Sequence, residues 1–535
     1  MYQYKMKLTD EQKAILEGKE GEVKAKVMET IVRYGDMFEA TELVKVTHGQ
    51  GHLVTSFGLK LLKPVYRVMD ELIAAGLKVE EGFTMDPRPN DFTNVKYNLL
   101  DKILFKTALY GKQKYYEDQL TKLGLVRQDG FSCACYFDEM GNIPKKGDIL
   151  SWAESSAVNY ANSVLGARCN RNSGMIDIFG SILGYVPKFG LLTDEGRKAK
   201  WKVTINTTKK PLPQILGSAI GIKVMEDVPY IVGLDKWLGT ELTDDVKSYL
   251  KDFGAATASN GAVGLYHAEN LTPEAVEMGT SLLEENYQEY VIDDAELERV
   301  YKSYPVMWKH PEKEGTLAFI GCPHLSKAQL NEWADKILEG LAKSGKKKVT
   351  CQTVVCTAPP VLEEFMKTEK YKKLIATGIE VTYICPLMYT SNPLTKSRCI
   401  MTCSNKLRTY SVARYYKDDE LLIDRKSSRI GYGEGARFAV SDLIQLPPAL
   451  GVRGQDDGVK IDPFGLHALV IVGSLYGSDH RKFERIFGST LHGGNFCGSN
   501  DGFTVIVGVA YLTPSRYGVG SGGGAANDIG ARQFT

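Results

Sequence analysis

An α/β fold with largely parallel sheets, divided over several domains, is the class that this sequence predicts. The chain has 535 residues, which is more than one ordinary hydrophobic core accommodates. Strand-like and helix-like segments alternate along most of its length. That alternation is typical of βαβ units, in which a helix connects two parallel strands. We therefore expect a multi-domain α/β protein, with a smaller α/β or β-rich domain at its C-terminal end.

The first segments establish this order. The run LTDEQKAILEG predicts a short helix capped by Thr9 and ended by Gly18, and the helical region continues to about Tyr34. TELVKVTHGQGH then predicts a short strand that enters a glycine-rich turn, GLKLLKPVYRVMDELIAAG an amphipathic helix, and LKVEEGFTMDP a strand that leads into a loop. These segments together predict a βαβ unit.

The same order recurs between residues 314 and 389, where predicted strands feed loops and helices follow. Cys322 and Cys385 fall where two of these strands are predicted to end. Ligands usually bind in the loops at the carboxyl ends of parallel strands. The two cysteines are therefore candidates for a functional site.

A charged run from Asp418 to Arg429 marks the predicted domain boundary. We expect residues 1–416 to form one region of several α/β subdomains, and residues 417–535 to form a smaller domain. In that smaller domain, HALVIVGSLYG and DGFTVIVGVAYLT predict buried strands. The glycine-rich end of the chain predicts a mobile tail or a loop wrapped around a partner.

Composition narrows the class of function. The formal net charge of +1 gives no basic surface for nucleic acid or for an anionic membrane, and no apolar stretch is long enough to span a bilayer. Ten cysteines without close, even spacing indicate a reducing compartment rather than a disulfide scaffold. We expect a soluble, cytoplasmic protein that binds neither nucleic acid nor membrane.

Three cysteines that lie far apart in the chain each belong to a short, polar segment. Cys133 lies in FSCACYFDEMGN, Cys322 in FIGCPHLS and Cys385 in TYICPLMYTS. This arrangement suggests a metal site that the fold assembles, with iron as the leading candidate. The alternative for each cysteine is burial as a small hydrophobic residue.

Two further segments carry candidate ligand-binding groups. The segment 151–171 predicts a helix ended by Gly166 and followed by Arg168 and Arg171, whose guanidinium groups are suited to grip a carboxylate or phosphate. Its alternative is a solvated helix with a basic C-terminal end. In THGQGH, glycines beside His48 and His52 permit close approach of a ligand, whereas ordinary core or surface histidines are the usual alternative.

A third polar segment, TCSNKLRTY, follows a predicted strand near the end of the α/β region. It places Ser404, Lys406 and Tyr410 where they suit hydrogen bonding to a polar substrate. The alternative is a turn with a surface lysine. These residues by themselves leave the choice open.

Several motifs resemble those of aconitase X, the compact branch of the aconitase superfamily, over about residues 7–416. The resembling runs, in order, are CACYFDEMGNIPKKGD, WAESSAVNYANSVLGARCNR, GAVGLYHAENLTPEA, FIGCPHLS, and CPLMY followed by TCSNKLRTY. The resemblance implies a hydro-lyase that removes water from a small hydroxylated carboxylate. Cis-3-hydroxy-L-proline and mevalonate 5-phosphate are the substrates that it implies.

The resemblance also implies a cofactor and a set of pocket residues. Cys133, Cys322 and Cys385 match the family's ligands to an iron-sulfur cluster or a mononuclear iron, which acts as a Lewis acid on the leaving hydroxyl. Arg168 and Arg171 would hold the substrate carboxylate. The residues implied to line the substrate pocket are His52, Glu154, Ser155, Ser156, Asn162, Ser163, Arg168, Asn170, Arg171, Ser404 and Lys406.

The family's catalytic serine normally comes from the small domain, in a glycine-and-serine turn after a strand. The nearest match is GSLYGSD, which makes Ser474 or Ser478 the candidate, and His52 is a further candidate catalytic residue. The sequence departs from the family at Cys169 and Cys403, where threonine-like and asparagine-like residues are expected. These changes would retune the pocket or add a thiol near the metal.

The weak match of the last part of the chain to the family's small domain leaves two alternatives. In one, residues 1–416 are a retained scaffold without catalysis, and the C-terminal unit is a binding or assembly module. In the other, the chain is a large subunit that needs a separate small subunit. A homo-oligomer is a further arrangement that the sequence leaves open.

Overall fold

The computed structural model of the protein describes residues 4–422. The strands are β1 (Leu43–Lys45), β2 (Gly51–Leu53), β3 (Phe83–Met85), β4 (Tyr185–Pro187), β5 (Ala199–Ile205), β6 (Pro229–Val232), β7 (His267–Ala268), β8 (Leu283–Ile292), β9 (Leu317–Leu325), β10 (Gln352–Thr357), β11 (Glu380–Thr382), β12 (Ile400–Thr402) and β13 (Arg414–Tyr415).

The helices alternate with these strands. They are α1 (Asp10–Leu16), α2 (Glu22–Met37), α3 (Lys63–Ala74), α4 (Leu99–Ile103), α5 (Gln113–Leu123), α6 (Ser155–Ser163), α7 (Ile176–Leu183), α8 (Pro213–Val224), α9 (Asp235–Leu238), α10 (Asp244–Gly261), α11 (Pro273–Met278), α12 (Asp294–Lys302), α13 (Lys327–Lys343), α14 (Pro359–Met366), α15 (Glu369–Ala376), α16 (Pro386–Thr390), α17 (Pro393–Lys396), α18 (Asn405–Tyr410) and α19 (Asp418–Leu422). Within residues 4–422, no helix has the length and apolar character that crossing a membrane requires.

The larger sheets are parallel throughout. One has five strands in the order β11-β10-β9-β12-β13, and another has four in the order β7-β6-β5-β8. Of the two-stranded sheets, β2 and β3 pair in parallel, whereas β1 and β4 are antiparallel. The predicted α/β class with largely parallel sheets is therefore confirmed.

The N-terminal elements follow the sequence pattern closely. The Thr9 side chain caps α1 by accepting the backbone N–H of Gln12, and the Gln12 side chain reaches back to the backbone of Thr9, which completes a capping box. Helix α3 connects the parallel strands β2 and β3 as the central helix of a βαβ unit. The predicted helix cap and the predicted crossover are thus both present.

The β2–β3 pair continues as single bridges on both sides. His52 in β2 bridges Trp152 in parallel, and Met85 in β3 bridges Phe131 in parallel. Four parallel segments therefore lie side by side, and the residues that follow them emerge at one edge. The polar residues within or just after these segments are His52, Asp86, Cys133 and Glu154.

The five-stranded sheet has a core on each of its faces, because successive residues of a strand point to opposite sides. Phe319 of β9 and Val354 of β10 belong to a buried cluster with Tyr389. Their chain neighbours Ile320 and Val355 belong to a separate cluster under α13 and α14. Both faces are covered, as expected for a parallel sheet.

The part of the chain that forms the four-stranded sheet, residues 199–292, is called the middle unit. In it, helices α8 and α10 pack against each other at a distance that only glycine allows. A Cβ atom added to Gly261 would lie 1.8 Å from the backbone oxygen of Gly221. Helix α10 also contacts α6 and α18, which belong to the flanking parts of the chain. This helix therefore links the middle unit to both of its neighbours.

Candidate active site

The first part of the chain precedes the middle unit and contains β2 and β3, and the third part follows it and contains the five-stranded sheet. The carboxyl ends of the parallel strands in these two parts face each other. From the five-stranded sheet, Cys322 lies near the end of β9, Cys385 follows β11, and Ser404 follows β12 as the N-cap of α18. Lys406 lies in the first turn of α18 and reaches the residues that follow the β2–β3 edge. Polar groups meet where the fold class places ligand sites.

A buried ion pair joins the two edges. Lys406 Nζ pairs with Glu154 Oε1, and the side chains are 13% and 3% exposed. Lys406 Nζ also donates to Ser156 Oγ at 3.1 Å, while the Glu154 carboxylate accepts from Ser156 Oγ and from the backbone N–H of Ala157, each at 2.6 Å. Glu154 is thus both the N-cap of α6 and the partner of a buried cation.

Both members of the pair are charged at neutral pH. Burial alone raises the pKa of Glu154, but the nearby Lys406 charge and the hydrogen bonds to its carboxylate lower that pKa to about 2. Burial lowers the pKa of Lys406, but the negative charge of Glu154 outweighs that effect and raises it above the ordinary value. A fixed ion pair, charged on both sides, therefore lies inside the site.

His52 and Asp86 form a second polar pair with unused hydrogen-bonding capacity. His52 Nδ1 lies 2.9 Å from Thr84 Oγ1, and its Nε2 lies 3.7 Å from Asp86 Oδ1. Within residues 4–422, neither Nε2 nor Oδ1 has a hydrogen-bond partner, although both atoms are buried. Buried polar atoms are ordinarily paired, so these two indicate a place for a polar ligand.

The protonation of this pair is unusual. Burial lowers the pKa of His52, but Cys135 and Asp86 act in the opposite direction and raise it to about 10. Burial raises the pKa of Asp86 to about 6 even though the nearby His52 ring lowers it. Asp86 is therefore a carboxyl group that exchanges its proton near neutral pH.

The three cysteines predicted as ligands are brought into one neighbourhood. Burial raises the pKa of Cys133, of Cys322 and, to about 12, of Cys385, and the positive charge of Lys406 lowers it at all three. Cys322 in turn raises the pKa of the other two thiols. In the described chain, no three His, Cys, Asp or Glu side chains are grouped in a way that would hold a metal ion.

Tyr410 and Arg171 lie on the α18 side of the same site. Burial raises the pKa of the Tyr410 hydroxyl, whereas Arg171 and Lys406 lower it. Arg171 is anchored by a hydrogen bond from Nη1 to the backbone oxygen of Ala262, and its stem lies against Gly264. Arg171 therefore contributes positive charge to the site.

The other residues predicted around the end of α6 serve mainly the packing there. Asn162 donates to the backbone oxygens of Cys169 and Gly264 and accepts from the Cys169 N–H. Ser163, at the end of α6, accepts the backbone N–H of Tyr266. Asn162 and Ser163 thus hold the backbone near the site.

Asn170 and Arg168 have partners of their own. Asn170 Nδ2 donates to Phe189 and Asn170 Oδ1 accepts from Leu191. Arg168 pairs with Asp194, an 85% exposed carboxylate, at 2.5 Å. In the structure Arg168 is therefore paired with an exposed carboxylate, and its role in holding a substrate carboxylate stays a prediction. Ser155 is nearer to the ion pair, 3.5 Å from Glu154.

The remaining candidates divide between the core and the end of the chain. Cys169 is fully buried and contacts the backbone oxygen of Leu150 at 3.6 Å, and Cys403 is buried in the α13 cluster. The candidate catalytic residues Ser474 and Ser478 lie outside the described residues, as does most of the predicted C-terminal domain.

Two residues of the site were not selected from the sequence. Asp86 is the residue directly after β3, a position that marks the ligand edge of a parallel pair. His324 follows Cys322 by two residues, and its ring contacts the other two cysteine segments. Both residues lie in motifs that the sequence did single out.

Fold and site together define a multi-domain α/β protein with a charged, thiol-lined cleft between the carboxyl edges of parallel sheets. Family models for the first, second and third domains of aconitase X match residues 5–195, 199–302 and 316–418. The chain belongs to the aconitase X family. The predicted family and the predicted class of enzyme, a hydro-lyase, are confirmed by these matches and by the named relatives.

The relatives are dehydratases. The chain is 32% identical over 341 residues to the phosphomevalonate dehydratase large subunit of Thermococcus kodakarensis, with 62% of this chain and 77% of that protein covered. It is 29% identical to the protein of the same name from Methanosarcina mazei, with 76% and 92% covered. It is 27% identical to cis-3-hydroxy-L-proline dehydratase of Hypocrea jecorina, with 76% and 65% covered.

A solved structure has the same fold. The crystal structure of Thermococcus kodakaraensis aconitase X in its holo-form superposes with a TM-score of 0.63 at 26% sequence identity. The superposition covers 78% of this chain and 99% of that one. Almost the whole of that chain therefore has a counterpart in this protein.

Proposed function

We propose that this protein is a dehydratase that removes water from a small hydroxylated carboxylate, with an iron-sulfur cluster held by Cys133, Cys322 and Cys385. The observation that carries the proposal is the meeting of these thiols with the buried Lys406–Glu154 pair at facing strand ends. When bound, the iron supplies a Lewis acid that weakens the bond to the leaving hydroxyl.

The chemical type of the three donors suits such a cluster. Clusters of this kind are held by cysteine thiolates. Burial raises the pKa of all three thiols, and the positive charge of Lys406 opposes that rise in part. The backbone N–H of His324 donates to Cys133 Sγ at 3.4 Å, a contact that favours the anionic sulfur.

The remaining groups divide the work of binding and proton transfer. Lys406 and Arg171 supply the positive charge that a carboxylate substrate requires. Asp86 Oδ1, which is buried and has no partner in the described chain, takes or gives the proton near neutral pH. His52, beside it, keeps a positive charge that stabilises the deprotonated carboxylate.

Mevalonate 5-phosphate is the first substrate to test, because the relatives named phosphomevalonate dehydratase large subunit are matched over 77% and 92% of their length. Cis-3-hydroxy-L-proline is the second, because the relative that carries that name is matched over 65% of its length. Both molecules carry a carboxylate and a hydroxyl group.

We propose that the catalytic serine of the family's small domain is supplied either by residues 423–535 or by a separate small subunit. The second arrangement is supported by relatives whose names include "large subunit". Elimination by the purified chain alone assigns the role to its own C-terminal residues. Elimination that appears only when a small subunit is added assigns it to a partner.

The test is anaerobic purification and reconstitution of the full chain, followed by measurement of iron, sulfide and loss of either substrate. Cys322→Ser should lose most of the bound iron. Cys351→Ser is the matched control, because Cys351 belongs to the same part of the chain but lines a groove beside β10. A wild-type chain without iron, or a Cys322→Ser variant with full iron, contradicts the proposal.

A further inference from the structure

His324 is the one histidine in the described chain whose ring is hydrogen-bonded to two cysteine-bearing segments while its backbone contacts a cysteine sulfur. Its Nε2 lies 3.2 Å from the backbone oxygen of Ile384, the residue before Cys385. Its Nδ1 lies 3.1 Å from Ser132 Oγ, beside Cys133. Because His324 also follows Cys322 by two residues, it touches all three segments.

The direction of these hydrogen bonds is fixed by their partners. A backbone oxygen only accepts, so His324 Nε2 carries the hydrogen and donates to Ile384. In the neutral ring, Nδ1 is then an acceptor and takes the hydroxyl hydrogen of Ser132. Ser132 Oγ in turn accepts the backbone N–H of Ala134 at 3.1 Å. A continuous chain of hydrogen bonds thus connects the two sides of Cys133 to the residue before Cys385.

The backbone of His324 is held from the middle unit. Lys251 of α10, whose side chain is 1% exposed, donates from Nζ to the His324 backbone oxygen at 2.9 Å and pairs with Asp252 at the same distance. Asp252 also accepts from Gln329 in the first turn of α13 at 2.8 Å. Helix α10 therefore fixes the end of β9, which carries both Cys322 and His324.

We infer that His324 is a positioning residue that sets the spacing of the three cysteine segments, with Lys251 as the anchor of its backbone. The inference rests on the proposed function, since it concerns the residues proposed to hold the cluster. His324 does not act on the substrate in this role. It orients the thiols, as outer-shell partners do at metal sites generally.

The experiment measures how fast iron leaves the reconstituted chain when an iron chelator is added under anaerobic conditions. His324→Phe keeps a ring but removes both hydrogen bonds, and it should release iron on the order of 10- to 100-fold faster than wild type. His324→Gln, which retains a donor for Ile384, and His324→Asn, which retains an acceptor for Ser132, should fall between the two.

A merely structural role would not change the cluster itself, so the electron paramagnetic resonance spectrum is the second readout. It should shift in His324→Phe and return toward wild type in the Gln and Asn variants. His310→Phe is the matched control, because His310 is 58% exposed and pairs with Glu312 on the surface. This control should leave both readouts unchanged.

The outcomes separate the inference from the proposed function. A wild-type chain that binds no iron contradicts both the proposed function and the inference about His324. A wild-type chain that binds iron, with His324→Phe releasing it at the wild-type rate, overturns the inference alone. If His324→Phe does not fold, Ser132→Ala decides, because it removes one hydrogen bond and leaves the ring in place. Faster release from Ser132→Ala supports the inference, and an unchanged rate overturns it.

Discussion

The buried pair of Lys406 and Glu154 should couple the first and third parts of the chain energetically. Replacing Glu154 by Gln leaves the Lys406 ammonium buried with Ser156 as its remaining partner. Breaking a buried pair in this way costs about 3–5 kcal/mol. The lowering of the Glu154 pKa from 4.5 to about 2 corresponds to a similar amount, about 3 kcal/mol.

The sign of the pH dependence follows from the same shift. Because the pKa of Glu154 is lower in the folded chain, its contribution is complete above its ordinary pKa of 4.5 and is lost as the pH falls toward about 2. A measurement at pH 7 therefore contains the whole effect. Lys406→Met should cost less than Glu154→Gln, because the buried Glu154 carboxylate that remains still accepts hydrogen bonds from Ser156 and Ala157.

Hydrogen exchange of the backbone amides, followed by mass spectrometry, measures the effect locally. Amides of α6 and α18 should exchange on the order of 100-fold faster or more in Glu154→Gln. The double variant Glu154→Gln/Lys406→Met should be less destabilised than the two single effects added together. Glu364→Gln, which breaks a surface pair with Lys327, is the control and should leave exchange almost unchanged. Strict additivity of the two substitutions would refute the reasoning.

Three further predictions concern packing, pH and the site. Gly261→Ala should lower the thermal midpoint markedly because its Cβ has no room, whereas Gly340→Ala, with nothing within 4 Å of its Cβ, should leave it unchanged or raise it. Burial lowers the pKa of His267 from 6.5 to about 4. The free energy of unfolding should therefore fall by about 3 kcal/mol as the pH drops through that interval. Urea titrations of His267→Gln should lack this contribution to the pH dependence. Arg168→Gln should change kcat/KM less than Arg171→Gln, because Arg168 is paired with an exposed carboxylate, and equal losses would contradict the placement of the two side chains.

Much of the fold was predictable because local pattern and tertiary structure agree. The capping box at Thr9 and the βαβ unit around α3 are present as the sequence indicates. The placement of Cys322 and Cys385 near strand ends was predictable for the same reason, since it depends only on strand order. These features are local, and local features are what periodicity and capping signals report.

The site's detailed pairing was not predictable in the same way. Arg168 and Arg171 are separated by two residues, yet one pairs with Asp194 and the other lies near Tyr410. Their directions depend on contacts with segments distant in the chain, which no local spacing encodes. Asp86 and His324 were missed because each is a single polar residue whose role depends on the segments beside it.

The placement of the proposed ligands on separate parallel units has a consequence for biosynthesis. Cys133 belongs to the first part of the chain, whereas Cys322 and Cys385 belong to the third. During translation the first thiol is made long before the other two, so a nascent chain does not present the full donor set until residue 385 has left the ribosome. A chain truncated before Cys385 lacks one of the three proposed ligands, and it should retain less iron than the full chain after anaerobic reconstitution.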